Sequence, residues 1–96
     1  MKQIRLAIAA QTDLIEIWSD ITAYRNSDAA DKIIDHLATT YENLAKFPEM
    51  RRCRDELFPG YRSSVAAPHL IFYQIQPEEI EIIRVLHGAR NLSDFF

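Results

Sequence analysis

Four side chains between positions 62 and 90 are of types that could do chemistry together: Arg62, Arg84, His87 and Arg90. Arginine stabilises the concentrated negative charge of a phosphoryl transition state, and histidine can move a proton near neutral pH. With Glu49 as a base, these are the parts of a metal-free endoribonuclease. The same residues also have an architectural reading. Arg84 can pair with a carboxylate such as Glu81 or Asp94, and His87 can close a strand end through a backbone hydrogen bond. Both readings stay open at this level. Other templates are absent: the sequence has no Gly-rich phosphate loop, no Gly-x-Ser-x-Gly, no His-Glu-x-x-His and no Cys-x-x-Cys. His36, His69 and His87 lack the spacing of metal ligands, so neither a metal nor a cofactor is expected. Cys53, the single cysteine, reads as an incidental thiol and excludes an internal disulfide framework.

The elements that must position these groups follow from the hydrophobic period. Gln3 to Ile8 alternates, with Ile4, Leu6 and Ile8 on one face, which predicts a half-buried strand. Thr12 is placed to cap a helix over 12–25, with Asp13 and Glu16 in its first turn, where the dipole favours negative charge. Leu14, Trp18, Ile21 and Arg25 advance at helical spacing, and Ile15, Ile17 and Tyr24 widen that stripe. Asn26-Ser27-Asp28 interrupts it and offers new caps. Ala30, Ile33, Ile34, Leu37, Tyr41, Leu44 and Ala45 then trace a second helical face. Phe47-Pro48 ends it, because proline disfavours helical geometry in the residue before it.

Residues 48–60 read as a connector whose middle, Arg51 to Leu57, can hold a turn of helix. From Tyr61 the period is two. Tyr61 to Ala66, His69 to Ile75 and Ile80 to Leu86 are strands, separated by Ala67-Pro68 and by Gln76-Pro77-Glu78-Glu79. In the last strand, alternation puts Ile80, Ile82 and Arg84 on one face and Glu81, Ile83 and Val85 on the other. Such short turns predict an antiparallel meander. The expected architecture is one α+β domain over residues 1–96, β-α-α-β-β-β, its helical hairpin packed on one face of a small antiparallel sheet.

Length and charge narrow the function. Ninety-six residues support one core, not two. The net charge of −3 argues against a protein that lives by gripping a nucleic-acid backbone. Its distribution is uneven: residues 1–45 hold four Lys/Arg and seven Asp/Glu, whereas Lys46, Arg51, Arg52, Arg54 and Arg62 make a local basic run. That run is either a solvated loop or an anchor for an acidic partner or a phosphate. No apolar stretch approaches the ~20 residues that span a bilayer. The charged, alternating start does not read as a signal peptide, so a cytoplasmic location is expected, with no membrane partner and no small-molecule substrate.

Five tracts carry a family resemblance: Phe47-Pro48-Glu49-Met50, Arg52-x-Arg54-Asp55-Glu56-Leu57, Pro59-Gly60-Tyr61-Arg62, His69-Leu70-Ile71-Phe72-Tyr73 and Arg84-Val85-Leu86-His87-Gly88-Ala89-Arg90. In this order and spacing they resemble the ParE-type toxins of the RelE/ParE superfamily, the toxin halves of type II toxin–antitoxin pairs. The resemblance spans the whole chain. It implies the RelE/ParE-like β-α-α-β-β-β fold and a toxin that inhibits DNA gyrase by binding it. It also implies a cognate ParD-like antitoxin with a ribbon-helix-helix part, through which alone the toxin would meet operator DNA. A segment of that antitoxin is expected to fold on the toxin, laying a helix against the helical hairpin and adding a strand to the sheet edge. Leu14, Trp18, Ile21, Ile34, Leu37 and Tyr41 are the candidates for that contact. Arg52, Arg54, Arg62, Arg84, His87 and Arg90 are the candidates for binding the target.

The superfamily's RelE-like members instead cleave mRNA, which would make Arg62, Arg84, His87 and Arg90 catalytic. The negative net charge, and the lack of a tyrosine in the tail Asn91 to Phe96, favour the gyrase branch. A third reading is an inert homologue that binds antitoxin and nothing else. The family usually has glycine where Arg51 stands, so a loop of different conformation is expected there.

Overall fold

A computed structural model describes residues 2–88, 92, 95 and 96. Strand β1 (Gln3–Leu6) leads into helix α1 (Ile8–Tyr24), and a two-residue connection leads into α2 (Ser27–Lys46). After a 3-10 turn at Pro48–Met50 come β2 (Arg52–Cys53), β3 (Tyr61–Ala66), β4 (His69–Ile75) and β5 (Glu79–His87). The strand order is β1-β5-β4-β3-β2. The three long strands make the expected antiparallel meander, but the sheet is mixed, because β1 lies parallel to β5. The short β2, unforeseen in the connector, pairs with β3. A helical hairpin on a five-stranded sheet is therefore the α+β architecture that the sequence predicts, with both edges specified.

Two local corrections matter for the site. Helix α1 begins four residues before Thr12. Ile8-Ala9-Ala10 joins the helix, not the strand, and Ala7 is the cap residue. Thr12 lies inside the helix, its hydroxyl donating to the Ile8 carbonyl at 3.2 Å. Asp13 consequently leaves the first turn and falls on the buried stripe with Ala10, Leu14, Ile17 and Ile21. The second correction is a bulge in β5: Phe72 faces Arg84 while Tyr73 faces Ile82, so Ile83 is an extra residue. The bulge breaks the alternation and carries Val85, not Arg84, into the core beside Ile80 and Ile82.

That core is built between the helices and one face of the sheet, from Ala10, Leu37, Leu44, Ala66, Ile71, Tyr73, Ile80, Ile82 and Val85. On α2 the predicted stripe is the buried one, and Asn26 caps the helix by accepting from the Ala29 N–H at 2.8 Å. The Tyr73 hydroxyl donates to the Pro48 carbonyl at 2.6 Å and fastens the connector to the sheet. Gly60 has φ +88°, the left-handed region that glycine enters without strain, and this closes the turn into β3. The opposite sheet face is covered locally. Phe72 is fully buried there, with the Phe96 ring 5.0 Å away and the Arg54 guanidinium 5.8 Å over it.

Candidate functional site

A buried polar arrangement lies where β1 stops beside β5. The last bond between them is from the Ala7 N–H to the Ile82 carbonyl, at 2.9 Å. Beyond it the chain turns into α1, and the edge of β5 needs another acceptor. Asp13, one and a half turns into α1, supplies it. Its Oδ2 accepts from the Val85 N–H at 3.0 Å and from Arg84 Nε at 2.8 Å, and its Oδ1 accepts from Arg84 Nη2 at 2.7 Å. The residue is only 5 % exposed, so this planar two-point ion pair is largely withdrawn from water. The hydrogen bond to Asp13 drives the Arg84 pKa further upward. The architectural reading of Arg84 is the right one, with a different partner. Glu81 is taken by Arg5 at 2.6 Å, and Asp94 lies outside the described residues.

Next to this junction, α1, α2 and the adjoining ends of β4 and β5 enclose a cavity of about 620 Å³. Its α1 wall presents Glu16 and Asp20 beside Ile17 and Ile21, and Ile33 comes from α2. Its sheet wall carries His69 and His87, which are register partners with ring centroids 5.7 Å apart and planes nearly perpendicular. The three histidines have no ligand spacing in sequence, yet the meander brings two of them together. His69 is 5 % exposed. Burial pushes its pKa down, and His87 and His36 push the same way, so the ring is neutral at pH 7. Among the described residues its Nδ1 has no hydrogen-bond partner. None of Glu16, Asp20 and His69 stood out in the sequence as a site residue. The available signal was the i, i+4 pair of carboxylates flanking an apolar stripe.

The proposed arginine cluster is dispersed among structural acceptors. Arg62 Nη1 donates to the carbonyls of Glu49 (3.1 Å) and Arg51 (2.9 Å), holding the connector against β3. Arg54 pairs with Glu56 at 3.1 Å, and Arg52 is exposed on the edge strand β2. Strand β4 stands between Arg62 and Arg84. Arg84 and His87 share the cavity, and Arg90 lies outside the described residues. Arg51 has an extended backbone, φ −108° and ψ 164°, and its Nε donates to Ser64 Oγ at 3.3 Å. The position therefore needs no positive φ, and an arginine fits here without strain.

The helical candidates for partner contact divide by burial. Leu37 is 1 % exposed and sits in the core against the sheet, so it is corrected from surface to core. Leu14, Ile34 and Tyr41 are packed against that core, and Ile21 lines the cavity. Burial, followed by the Asp13 charge, pushes the Tyr41 pKa up to about 12. Trp18 is 40 % exposed, with its indole N–H donating to Asp31 Oδ1 at 3.0 Å. The exposed apolar flank of α1 also holds Ile8 and Ile15, the latter 67 % exposed. Spacings of seven and three residues put Ile8, Ile15 and Trp18 along one side of the helix.

Comparison with known proteins agrees with this architecture. The chain is 36 % identical over 89 residues to Toxin ParE1 of Mycobacterium tuberculosis, covering 92 % of this chain and 91 % of that protein. It is 34 % identical over 91 residues to Toxin ParE1 of Caulobacter vibrioides, covering 95 % and 94 %. A solved structure titled as a chromosomal ParDE TA system from P. aeruginosa shares the fold, with a TM-score of 0.79 at 19 % identity over 91 % of this chain and 96 % of that one. The family model described as the ParE toxin of the type II toxin–antitoxin system, parDE, matches residues 4–92, so the chain belongs to the ParE toxin family.

Proposed function

We propose that this toxin acts in the cytoplasm by binding DNA gyrase, and that a ParD-like antitoxin silences it by covering the outward flank of α1. The observation that carries the binding reading is that flank. Ile8, Ile15 and Trp18 stay exposed although the chain has a complete core of its own. Apolar side chains aligned on one helix flank are the form of surface that a partner helix docks against. Relatives named as ParE toxins, and a fold neighbour titled as a ParDE system, support the pairing. The committed state of Arg62 and Arg84 favours binding over bond cleavage, since both guanidinium groups would have to leave structural acceptors to meet a scissile phosphate.

The test is induced expression without antitoxin, alongside a supercoiling assay with purified gyrase. Growth arrest and a saturable loss of supercoiling are expected. Full supercoiling at saturating toxin overturns the gyrase reading. New mRNA ends that vanish in His87→Ala would mark the nuclease alternative, and normal growth with antitoxin binding intact would mark an inert homologue. No helix among the described residues is long and apolar enough to cross a membrane.

A further inference from the structure

We infer that the Arg51 guanidinium is a seat for one carboxylate of an acidic partner segment, with Arg62 as a fixed second charge beside it and with Phe47 and Met50 as an apolar step for the partner's neighbouring side chain. The fold itself asks only for extended backbone at position 51, where the family usually has glycine, so this seat belongs to this chain. The side chain is nonetheless organised. Its Nε donates to Ser64 Oγ at 3.3 Å, which fixes the head, while Nη1 and Nη2 have no partner among the described residues. Two N–H-bearing groups in one fixed plane are the form in which arginine takes a carboxylate at two points. Arg62 stays in place, with Nη1 on the carbonyls of Glu49 and Arg51. Arg5, Arg54 and Arg84 each face a carboxylate, so their charge is answered within the chain. Arg51 and Arg62 are anchored on neutral oxygens and keep theirs. Burial pushes the Tyr73 pKa up, and the charges of Arg62 and Arg51 both pull against it, so the two guanidinium groups gather around one hydroxyl on the helix side of the sheet.

Charge sets the sign of the occupant. Residues 46–62 carry five cations against three carboxylates, and one of those carboxylates, Glu56, is paired with Arg54. The residues outside the description include one acid, Asp94, and one base, Arg90, so they do not reverse that sign. The described end of the chain lies on the opposite sheet face, with Phe95 against Arg84 and Phe96 against Phe72. A second copy of this chain would set the same positive stretch against itself. The apolar step selects among acidic partners. The turn Pro48–Met50 is closed by the Met50 N–H on the Phe47 carbonyl at 3.3 Å, which holds these two exposed side chains one turn apart, directly before Arg51. A phosphate backbone would use the charge and leave both of them unanswered. A peptide segment with a carboxylate beside an apolar side chain meets both features. Recognition runs through side chains, because β2 has only two residues and a short charged edge discourages strand addition.

This inference rests on the reading of the chain as one that acts by protein contact, and it deepens that reading by naming the chemistry of one contact. The purified toxin alone tests it, so failure of the gyrase assay leaves the result standing, and the reverse holds too. The probes are acetyl-leucyl-glutamyl-leucine amide and its glutaminyl counterpart, a near-isosteric pair that differs in charge, with the dinucleotide uridylyl-uridine as the phosphate probe. Each is titrated at low salt while the Nε–H signals of Arg51 and Arg62 and the methyl signal of Met50 are followed by NMR. The glutamyl peptide is expected to shift these signals saturably and to bind about fivefold tighter than the glutaminyl peptide, the equivalent of about 1 kcal/mol. That preference should fade at high salt. Arg51→Gln should abolish it, with the signals of the core unchanged, and Arg51→Lys should restore part of it, since the charge returns without the planar fork. Equal affinity for the two peptides, a preference that survives Arg51→Gln, or no shift up to the peptides' solubility limit overturns the assignment. Tighter binding of the dinucleotide than of the glutamyl peptide overturns it in favour of a phosphate site.

Discussion

Replacing Arg84 with methionine tests the junction on which the geometry of the site depends. In the wild-type chain the guanidinium gives the Asp13 carboxylate two hydrogen bonds, at 2.8 and 2.7 Å, and the Val85 N–H gives a third. Methionine preserves much of the stem's volume but leaves a carboxylate of 6 % side-chain exposure holding one donor. Removing one member of a buried pair costs about 3–5 kcal/mol. The Arg84 side chain retains 21 % exposure, so its own desolvation is incomplete and the lower end applies, about 3 kcal/mol. For a chain of this size that lowers Tm by about 12–24 °C, at roughly 4–8 °C per kcal/mol. Asp13→Asn should cost less, about 2 kcal/mol, because the amide oxygen still serves the Val85 N–H. The decisive measurement is the double-mutant cycle by urea denaturation. Asp13→Asn removes the uncompensated charge, so Arg84→Met should cost about 2 kcal/mol less in that background than in the wild type. Additive effects within about 0.5 kcal/mol would show that the two side chains are neighbours without an energetic bond, and the account of the junction would be wrong.

Four further outcomes follow from the same structure. Leu37→Ala should destabilise by about 2–5 kcal/mol, as a fully buried leucine does, whereas Ile15→Asp should leave the unfolding free energy within about 0.5 kcal/mol of wild type and weaken antitoxin binding at least tenfold by calorimetry. His69 has its pKa lowered in the fold, so between that value and the ordinary 6.5 the unfolded chain binds the extra proton. Stability should therefore be full above about pH 6.5 and fall on acidification, and His69→Gln should flatten the fall relative to wild type, with His87, His36, Glu16 and Asp20 left in place. Burial pushes the hydroxyls of Tyr41 and Tyr73 up to about 12, so ultraviolet titration should find two of the four tyrosines ionising late or only with alkaline unfolding. Arg52→Glu, on the exposed edge strand, should keep the fold and reduce growth arrest if the basic run meets the target, and unchanged arrest would remove Arg52 from that surface.

The sequence discloses elements better than it discloses what lies between them. The stripe of α2 and the limits of β4 were legible because each rests on one unbroken period. The start of α1 was not, since Ile8 suits the alternation of a strand and the spacing of a helix equally well. That four-residue shift hid Asp13. Placed in a first turn, it looks like a dipole partner; placed on the stripe with Ala10, Leu14 and Ile17, it is a buried acid that must be paired. Its partner could not be read from the chain either, because it lies 71 residues away and the bulge at Ile83 decides where Arg84 is offered. The cavity was invisible for a related reason. It is formed where β1 ends and the sheet loses a strand, a consequence of the parallel pairing with β5 that no local pattern encodes.

The division of labour around α1 explains how so small a chain can be both complete and receptive. Its inner side, with Ala10, Asp13, Leu14 and Ile17, closes the core and the junction with β5. The flank bearing Glu16 and Asp20 forms one wall of the cavity, and the flank bearing Ile8, Ile15 and Trp18 faces outward. The far face of the sheet is not an equivalent opening, since Phe96 and Arg54 already cover Phe72. A partner segment that laid apolar side chains on the outer flank would gain about 1.5–3 kcal/mol for each one fully buried. Folding that segment on contact consumes about 2–5 kcal/mol, so one flank alone gives a modest complex.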